Sequence, residues 1–375
     1  MRKEIVFINQ NSGYLMIDII NAYLKRGFTC SLITGRVITR NNPLPSNVKL
    51  EKTIAYDRSS TLKRLFTWTV GALQMLWIIK TKYRKAELFI VSNPPFATFL
   101  PLFCKNSFRL LIFDVYPDTL LAYKIFKTDS FLIQMWKKAN KRIFAQAHKV
   151  YTLSKGMKDL LKQYITSNQI EIVPIWTDNS FLKPLEKKEN LFIKKYNLHD
   201  KFLVMYSGNL GRTHPVEVLL DVAKIVSSKK VFFVIIGEGE KKVLLEKKKV
   251  ENNLSNCLIL PFQTTEFFPY SLSAADLGVV TLGEEASKLS VPSKTFNLMS
   301  VGAPILAIAG QDSELHNLID QYNIGQTFQP NEVKAIGKFI DQLASDHEQH
   351  LMLREKAVKA TNFFGPDNAE RYITE

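Results

Sequence analysis

The chain has 375 residues, 46% hydrophobic and 23% charged, with 50 Lys+Arg against 35 Asp+Glu. That length and apolar content exclude a disordered chain and a single small core, and point to two domains. The three cysteines, Cys30, Cys104 and Cys257, are far apart with no CxxC pair, so neither a zinc site nor a disulfide framework is indicated and a reducing cytoplasm is the simplest setting.

The opening apolar stretch, residues 5–8, has strand length and runs into polar Asn9-Gln-Asn-Ser12, so it reads as a strand rather than a secretion signal. Further strands are expected at 29–34, 87–92, 109–114, 149–153 and 170–173, with helical patterns between them such as 17–26 and 131–146. A polar, Lys/Glu-rich stretch at 183–195 reads as a linker. The scheme then repeats, with strands at 202–206, 231–236, 257–260, 277–281 and 304–307. Apolar strands alternating with helices predict two doubly wound parallel-sheet domains. The end of the chain, 351–375, reads as helical to about 361, broken at Gly365-Pro366 and resuming through 369–372.

Charge divides with the domains. Residues 1–180 hold 27 Lys/Arg against 11 Asp/Glu, whereas residues 181–375 hold 23 against 24. A basic first half suits an anionic partner, either nucleic acid or an acidic membrane surface, although solubility alone also produces such surfaces. Within it, 65–79 (LFTWTVGALQMLWII) is almost wholly apolar and flanked by Lys63, Arg64, Lys80, Lys82, Arg84 and Lys85. It is short for a span, so it is either a buried helix or an interfacial one with Trp68 and Trp77 at headgroup depth.

Two segments carry the chemistry. Gly208-Asn209-Leu-Gly211 follows a strand, and its turn amides suit an anion, helped by Arg212 and by a helix expected to start at Pro215; an ordinary strand–helix turn is the alternative. Ser290-Val-Pro-Ser293-Lys294 follows the 277–281 strand and offers Lys294 to a phosphate and Ser293 as a helix cap. Gly237-Glu238-Gly239 and Pro261-Phe262-Gln263 end neighbouring strands. Glu238 suits a sugar hydroxyl or is simply solvated, and Phe262 suits a nucleobase edge or lies in a plain loop. Glu284 and Glu285 face the transferred group or are surface acids. In the first half, Gly13 lies in the loop after the opening strand, which lacks the GxGxxG of a dehydrogenase. Asp114 and Asp118 in Asp114-Val-Tyr-Pro-Asp118 either act on an acceptor hydroxyl or cap a helix. His214 sits in the glycine turn. No metal-ligand cluster is visible.

Ser92-Asn-Pro-Pro95, Asp114-Val-Tyr-Pro-Asp118, Val173-Pro-Ile-Trp-Thr-Asp178, Ser207-Gly-Asn-Leu-Gly211, Gly237-Glu-Gly239, Ala274-Ala-Asp276, Val291-Pro-Ser-Lys294 and Gly302-Ala-Pro304, in that order, resemble glycosyltransferase family 4. These are retaining enzymes of the GT-B fold, and the likeness runs toward bacterial exopolysaccharide and O-antigen enzymes of the colanic-acid type. The resemblance implies α/β architecture with two Rossmann-like domains facing a central cleft. An acceptor-binding, membrane-facing domain would span 1–182, a nucleotide-sugar domain 183–350, and a segment at 351–375 would pack back on the first domain. It implies no cofactor and no metal, only a UDP-linked sugar as substrate. It also implies a polyprenyl-diphosphate-linked saccharide as acceptor, no nucleic acid, and a cytoplasmic protein resting on the inner leaflet through its basic domain. Carried over by position, Asp114, Asp118 and Lys294 would be catalytic. Gly13, Gly208, Asn209, Gly211, Arg212, Gly237, Glu238, Phe262, Ser293, Lys294 and Asn297 would bind the donor. Leu289 and Asn297 stand where many members have a pair of glutamates. A nucleotide-sugar 2-epimerase of the same fold, or a non-catalytic membrane- or nucleic-acid-binding subunit, are the competing readings.

Overall fold

In the computed structural model, residues 4–40, 42–57, 59–122, 127–283 and 292–373 are described. They divide into two compact units: Met1–Ile175 together with Pro366–Glu375, and Trp176–Gly365.

The first unit opens with β1 (Glu4–Ile8), a two-residue β2 (Asn11–Ser12), α1 (Tyr14–Lys25), β3 (Thr29–Thr34), a two-residue β4 (Arg36–Val37) and β5 (Lys49–Lys52). It continues through α2 (Thr61–Lys82), β6 (Glu87–Val91), a 3₁₀ segment Pro95–Leu102, β7 (Phe108–Ile112), α3 (Asp118–Ala122) and α4 (Phe131–Gln146). β8 (Val150–Thr152), α5 (Lys155–Leu161) and β9 (Ile170–Ile172) complete it. Seven strands form one parallel sheet in the order β5-β3-β1-β6-β7-β8-β9. Every residue of β6 and β7 is buried, which explains sequences that are apolar except for Glu87 and Arg109, and those two pair with each other at 2.7 Å. β5 (KLEK), an edge strand with three exposed residues, has no such run and escapes the sequence reading.

The second unit holds α6 (Leu191–Tyr196), β10 (Phe202–Ser207), α7 (Val218–Ala223), β11 (Val231–Ile236), α8 (Lys242–Glu251), β12 (Cys257–Leu260), α9 (Phe268–Ser273) and β13 (Leu277–Thr281). After these come α10 (Ser293–Ser300), β14 (Ile305–Ile308), α11 (Glu314–Tyr322), β15 (Gly325–Phe328), α12 (Val333–Ser345) and α13 (His347–Thr361). Its six strands are parallel in the order β12-β11-β10-β13-β14-β15. The order reverses between β10 and β13, and the crevice at the carboxyl ends of such a pair is where this architecture binds ligands.

Two boundaries differ from the sequence reading. The division falls after Ile175, not after residue 182, because 176–182 packs into the second unit. Trp176 and Leu182 are buried, the Thr177 amide donates to the Phe364 carbonyl, and Asp178 accepts from the Ser180 and Phe181 amides. The expected linker at 183–195 instead carries the start of α6. There buried Asn190 caps the helix by accepting from the Phe192 and Ile193 amides, and both of those side chains are buried. The terminal segment is shared: α13 packs on α10 in the second unit, while the 3₁₀ segment Pro366–Tyr372 packs on α1 in the first.

Candidate functional site

β10 ends at Ser207 and passes into Gly208. The Gly208 amide donates to the Ile236 carbonyl and the Leu210 amide to the Glu238 carbonyl, which tie the glycine turn to the 237–239 loop. Those two amides are therefore spent. The amides of Asn209 and Gly211 have no acceptor among the described residues. Gly237 permits this packing, since a Cβ there would lie 2.0 Å from the Gly208 carbonyl oxygen. Gly239, at φ +147°, backs onto the Leu210 carbonyl.

Lys294 reaches the same turn from β13's side. α10 buries Thr295, Phe296, Leu298 and Met299, and Leu298 sits where a Cβ on Gly278 of β13 would be, 2.6 Å from that position. This close approach sets the first turn of α10 over the carboxyl ends of β10 and β13. The Lys294 ammonium stands 4.1 Å from the centre of the Tyr206 ring and 2.6 Å from the position of a Cβ on Gly208. The two segments that sequence reading puts in one site are in fact neighbours, and the absent Gly208 side chain is the space that Nζ fills.

The electrostatics of that ammonium are unusual. Lys294 is partly buried as a residue, and its Nζ is fully buried with no hydrogen-bond partner among the described residues. Burial pushes its pKa down from 10.5 to about 7. Its nearest charged influence on His214 has the same sign: burial first, and then Lys294, hold the His214 imidazole below its ordinary range. His214 Nδ1 lies 3.2 Å from both the Thr281 carbonyl oxygen and Oγ1. A carbonyl only accepts, so in the neutral ring Nδ1 carries the proton and Nε2 the lone pair. The Tyr206 hydroxyl donates to the Asn209 carbonyl at 2.6 Å, which fixes the turn. The result is a positive corner that, among the described residues, lacks hydrogen-bond partners for Lys294 Nζ and for two turn amides, chemistry suited to an anion.

The other candidates distribute unevenly. Arg212 is exposed and paired with Glu240 at 2.7 Å. Ser293 is exposed and starts α10, whose cap position is Pro292 with no side-chain cap bond, so Ser293 does not cap it. Asn297 is buried with its carbonyl oxygen accepting from Thr177 Oγ1 at 2.8 Å. Glu238 pairs with Lys242 at 2.8 Å, and Phe262 is exposed after edge strand β12. The helix expected at Pro215 begins only at Val218, is six residues long and carries Glu217 at its cap, where the carboxylate pairs with Lys241. The cation at the turn is therefore Lys294 rather than a helix dipole from α7. Tyr206 and Thr281 complete the corner and are given no role by the sequence reading; Tyr206 is the penultimate residue of β10 and Thr281 the last of β13, strands adjacent in the sheet. Glu284, Glu285, Leu289, Ser290 and Val291 lie outside the described residues.

In the first unit, Gly13 precedes α1 with open space around its missing side chain. The loop after β1 is held by the Gln10 amide donating to the Asn93 carbonyl and by Asn93 Nδ2 donating to Asn9 Oδ1 at 3.1 Å. Asp114 is exposed at the carboxyl end of β7. Asp118 opens α3 and is committed elsewhere: one carboxylate oxygen accepts from the Tyr164 hydroxyl, the other from Gln163 Nε2 at 3.2 Å with Lys137 at 3.4 Å. That bonding commits both carboxylate oxygens to neighbouring side chains and makes Asp118 a structural anchor. No group of metal-ligating side chains occurs among the described residues, and no described helix is long and apolar enough to cross a membrane.

Residues 187–360 match the family model described as Glycosyl transferases group 1. That segment is a glycosyltransferase group 1 domain. It contains the whole positive corner. The chain is 25% identical over 353 residues to the probable glycosyltransferase WbjE of Pseudomonas aeruginosa, covering 91% of this chain and 88% of the relative. It is 24% identical over 315 residues to WcaI of Escherichia coli K12, a putative colanic acid biosynthesis glycosyl transferase, covering 80% and 76%. Among solved structures, Anabaena HepE in complex with UDP superposes with TM-score 0.73 at 13% identity, over 99% of this chain and 98% of that one. At that identity the likeness speaks to fold alone, and the fold is GT-B, with the group 1 domain as its second Rossmann-like sheet.

Proposed function

We propose that the protein is a retaining glycosyltransferase that moves a sugar from a UDP-linked donor to a polyprenyl-diphosphate-linked saccharide in bacterial surface polysaccharide synthesis. The observation that carries the reading is the Lys294 ammonium, buried against Gly208 and Tyr206 with no hydrogen-bond partner or ion pair among the described residues. A buried cation without an acceptor is costly, and a diphosphate supplies both the missing charge and the missing acceptor. The choice of uridine is suggested by the UDP held by HepE, and the polysaccharide context by the colanic acid role given for WcaI.

In this reading the diphosphate lies over the Asn209 and Gly211 amides with Lys294 beside it. As the sugar–phosphate bond breaks, negative charge grows on the leaving oxygen, and Lys294 stabilises it where it develops. The bond lost is from the anomeric carbon to phosphate oxygen. The bond gained is to the acceptor oxygen on the same face, whose proton passes to the departing phosphate. No carboxylate nucleophile is invoked. Asp114 is retained as a group that orients the acceptor, while Asp118 is set aside for its structural bonds. The chain acts, in this account, on the cytoplasmic side at a membrane surface.

A panel of nucleotide sugars tests this by thermal stabilisation and by release of free nucleotide with a lipid-linked acceptor. Binding at a hundred times Kd is expected to stabilise the fold by about 2.7 kcal/mol. UDP-sugars raising the melting midpoint of the wild type but not of Lys294→Ala is the expected result. Stabilisation of both proteins alike would remove Lys294 from the site, and turnover of donor without acceptor into an epimer would replace transfer by epimerisation.

A further inference from the structure

α2 is amphipathic in an unexpected sense. Its inner face buries Thr67, Gly71, Met75, Ile78 and Ile79 at helical spacing. The opposite face is also apolar, yet exposed: Leu62 is 80%, Leu73 62% and Trp77 64% accessible, with Phe66 and Leu65 on the same outer side. The stretch is thus both a core helix and a surface one. A single exposed leucine needs no explanation, but a stripe of bulky side chains along a 22-residue helix marks a contact surface. α4 repeats the pattern at its start, where Phe131, Leu132 and Met135 are exposed.

The two helices are tied together by aromatic rings. Trp68 of α2 and Trp136 of α4 both lie about 6 Å from Tyr116 and from Phe96, with ring centres at 6.2, 6.0, 6.1 and 5.9 Å. Charge selects the partner. α2 and α4 contain four Lys/Arg each and no Asp or Glu. Lys82 and Lys137 are paired, to Glu51 and Asp118. Lys63 and Lys80 flank the α2 stripe, and Lys138, Lys141 and Arg142 follow on α4, with no ion pair among the described residues. A second copy of the chain would bring the same cations face to face, whereas an anionic lipid surface complements both the cations and the apolar stripe between them.

We infer that the outer face of α2, extended by the exposed start of α4, docks on an anionic bilayer surface with Trp77 and Phe66 inserted at headgroup depth. The inference deepens the proposed function by giving its lipid-linked acceptor a lipid face on the first unit, and it rests on that reading only for the choice of lipid as partner. Vesicle co-sedimentation of the full-length protein tests it, with phosphatidylcholine vesicles against phosphatidylcholine–phosphatidylglycerol vesicles. The wild type is expected to sediment with the anionic vesicles, to release partly at high salt, and to bind phosphatidylcholine weakly. Leu73→Glu/Trp77→Glu is expected to lower partitioning by at least about tenfold. Its melting midpoint and nucleotide binding should be unchanged, since both side chains are exposed. Lys80→Glu should weaken binding to the anionic vesicles only. Equal sedimentation of wild type and the double variant, or no sedimentation of either, overturns the inference. So does self-association of the wild type that the double variant abolishes while vesicle binding persists. Nucleotide binding is read in the same samples, so a failure there bears on the Lys294 site and not on α2.

Discussion

Lys294 and Gly208 form one functional pair, because the glycine's missing side chain is the ammonium's space. Gly208→Ala should fold normally, since the atom in its way is the end of a flexible lysine, but should weaken nucleotide binding by about tenfold to a hundredfold as Nζ is displaced. Gly237→Ala is the contrast: its Cβ meets the Gly208 carbonyl oxygen at 2.0 Å, so denaturant titration should find it destabilised by about 3 kcal/mol. Lys294 should also show the cost of its own site. Its pKa falls on folding from 10.5 to about 7, so between those values the unfolded chain holds the extra proton and stability rises with pH. Lys294→Met should therefore stabilise the empty protein most below pH 7, by at most about 4–5 kcal/mol, with the gain shrinking toward pH 10. Melting midpoints at pH 6 and pH 9 check this, and a variant no more stable at pH 6 than the wild type contradicts it. Sequence made the pair legible because both segments follow apolar strands. It did not reveal that Arg212 is spent on Glu240 or that Asp118 is spent on Tyr164, since those partners are distant in the chain.

Elements were legible where burial was two-sided. The all-buried strands β6, β7 and β13 announce themselves as mostly apolar stretches, with Glu87 and Arg109 as paired exceptions, whereas β5, exposed at the sheet edge, does not. α7 was misread because Pro215 favours a helix start in isolation, while the loop contacts of His214 and Lys241 delay it to Val218. The terminal element is the clearest long-range case. The Tyr372 carbonyl accepts from the Tyr23 hydroxyl at 2.6 Å, the Tyr151 hydroxyl at 3.1 Å and Arg109 Nη1 at 3.2 Å, and Arg109 is itself paired with buried Glu87 at 2.7 Å. Its ring packs on Tyr151 and Phe89, with centres 4.8 and 5.8 Å away. Tyr372→Ala should cost about 3–5 kcal/mol by urea unfolding, as a deleted core aromatic does. A loss under 1 kcal/mol would mean the segment merely rests on α1.

At the scale of the molecule, charge and ligand chemistry separate between the units. The excess of 16 positive charges lies in residues 1–180, with 27 Lys/Arg against 11 Asp/Glu, while the group 1 domain at 187–360 holds the anion corner. Each unit has its own core. Calorimetric unfolding should therefore depart from a single two-state transition, with UDP raising the transition of the second unit first.

Proton uptake on UDP binding tests the central claim most directly. If Lys294 waits largely neutral above pH 7 and is recharged by a diphosphate, titration calorimetry at pH 8 in buffers of differing ionisation heat should record about 0.9 proton taken up per UDP by the wild type. Lys294→Ala should bind weakly with little uptake. Equal affinity for UDP in both proteins, with no proton taken up by either, would contradict the account.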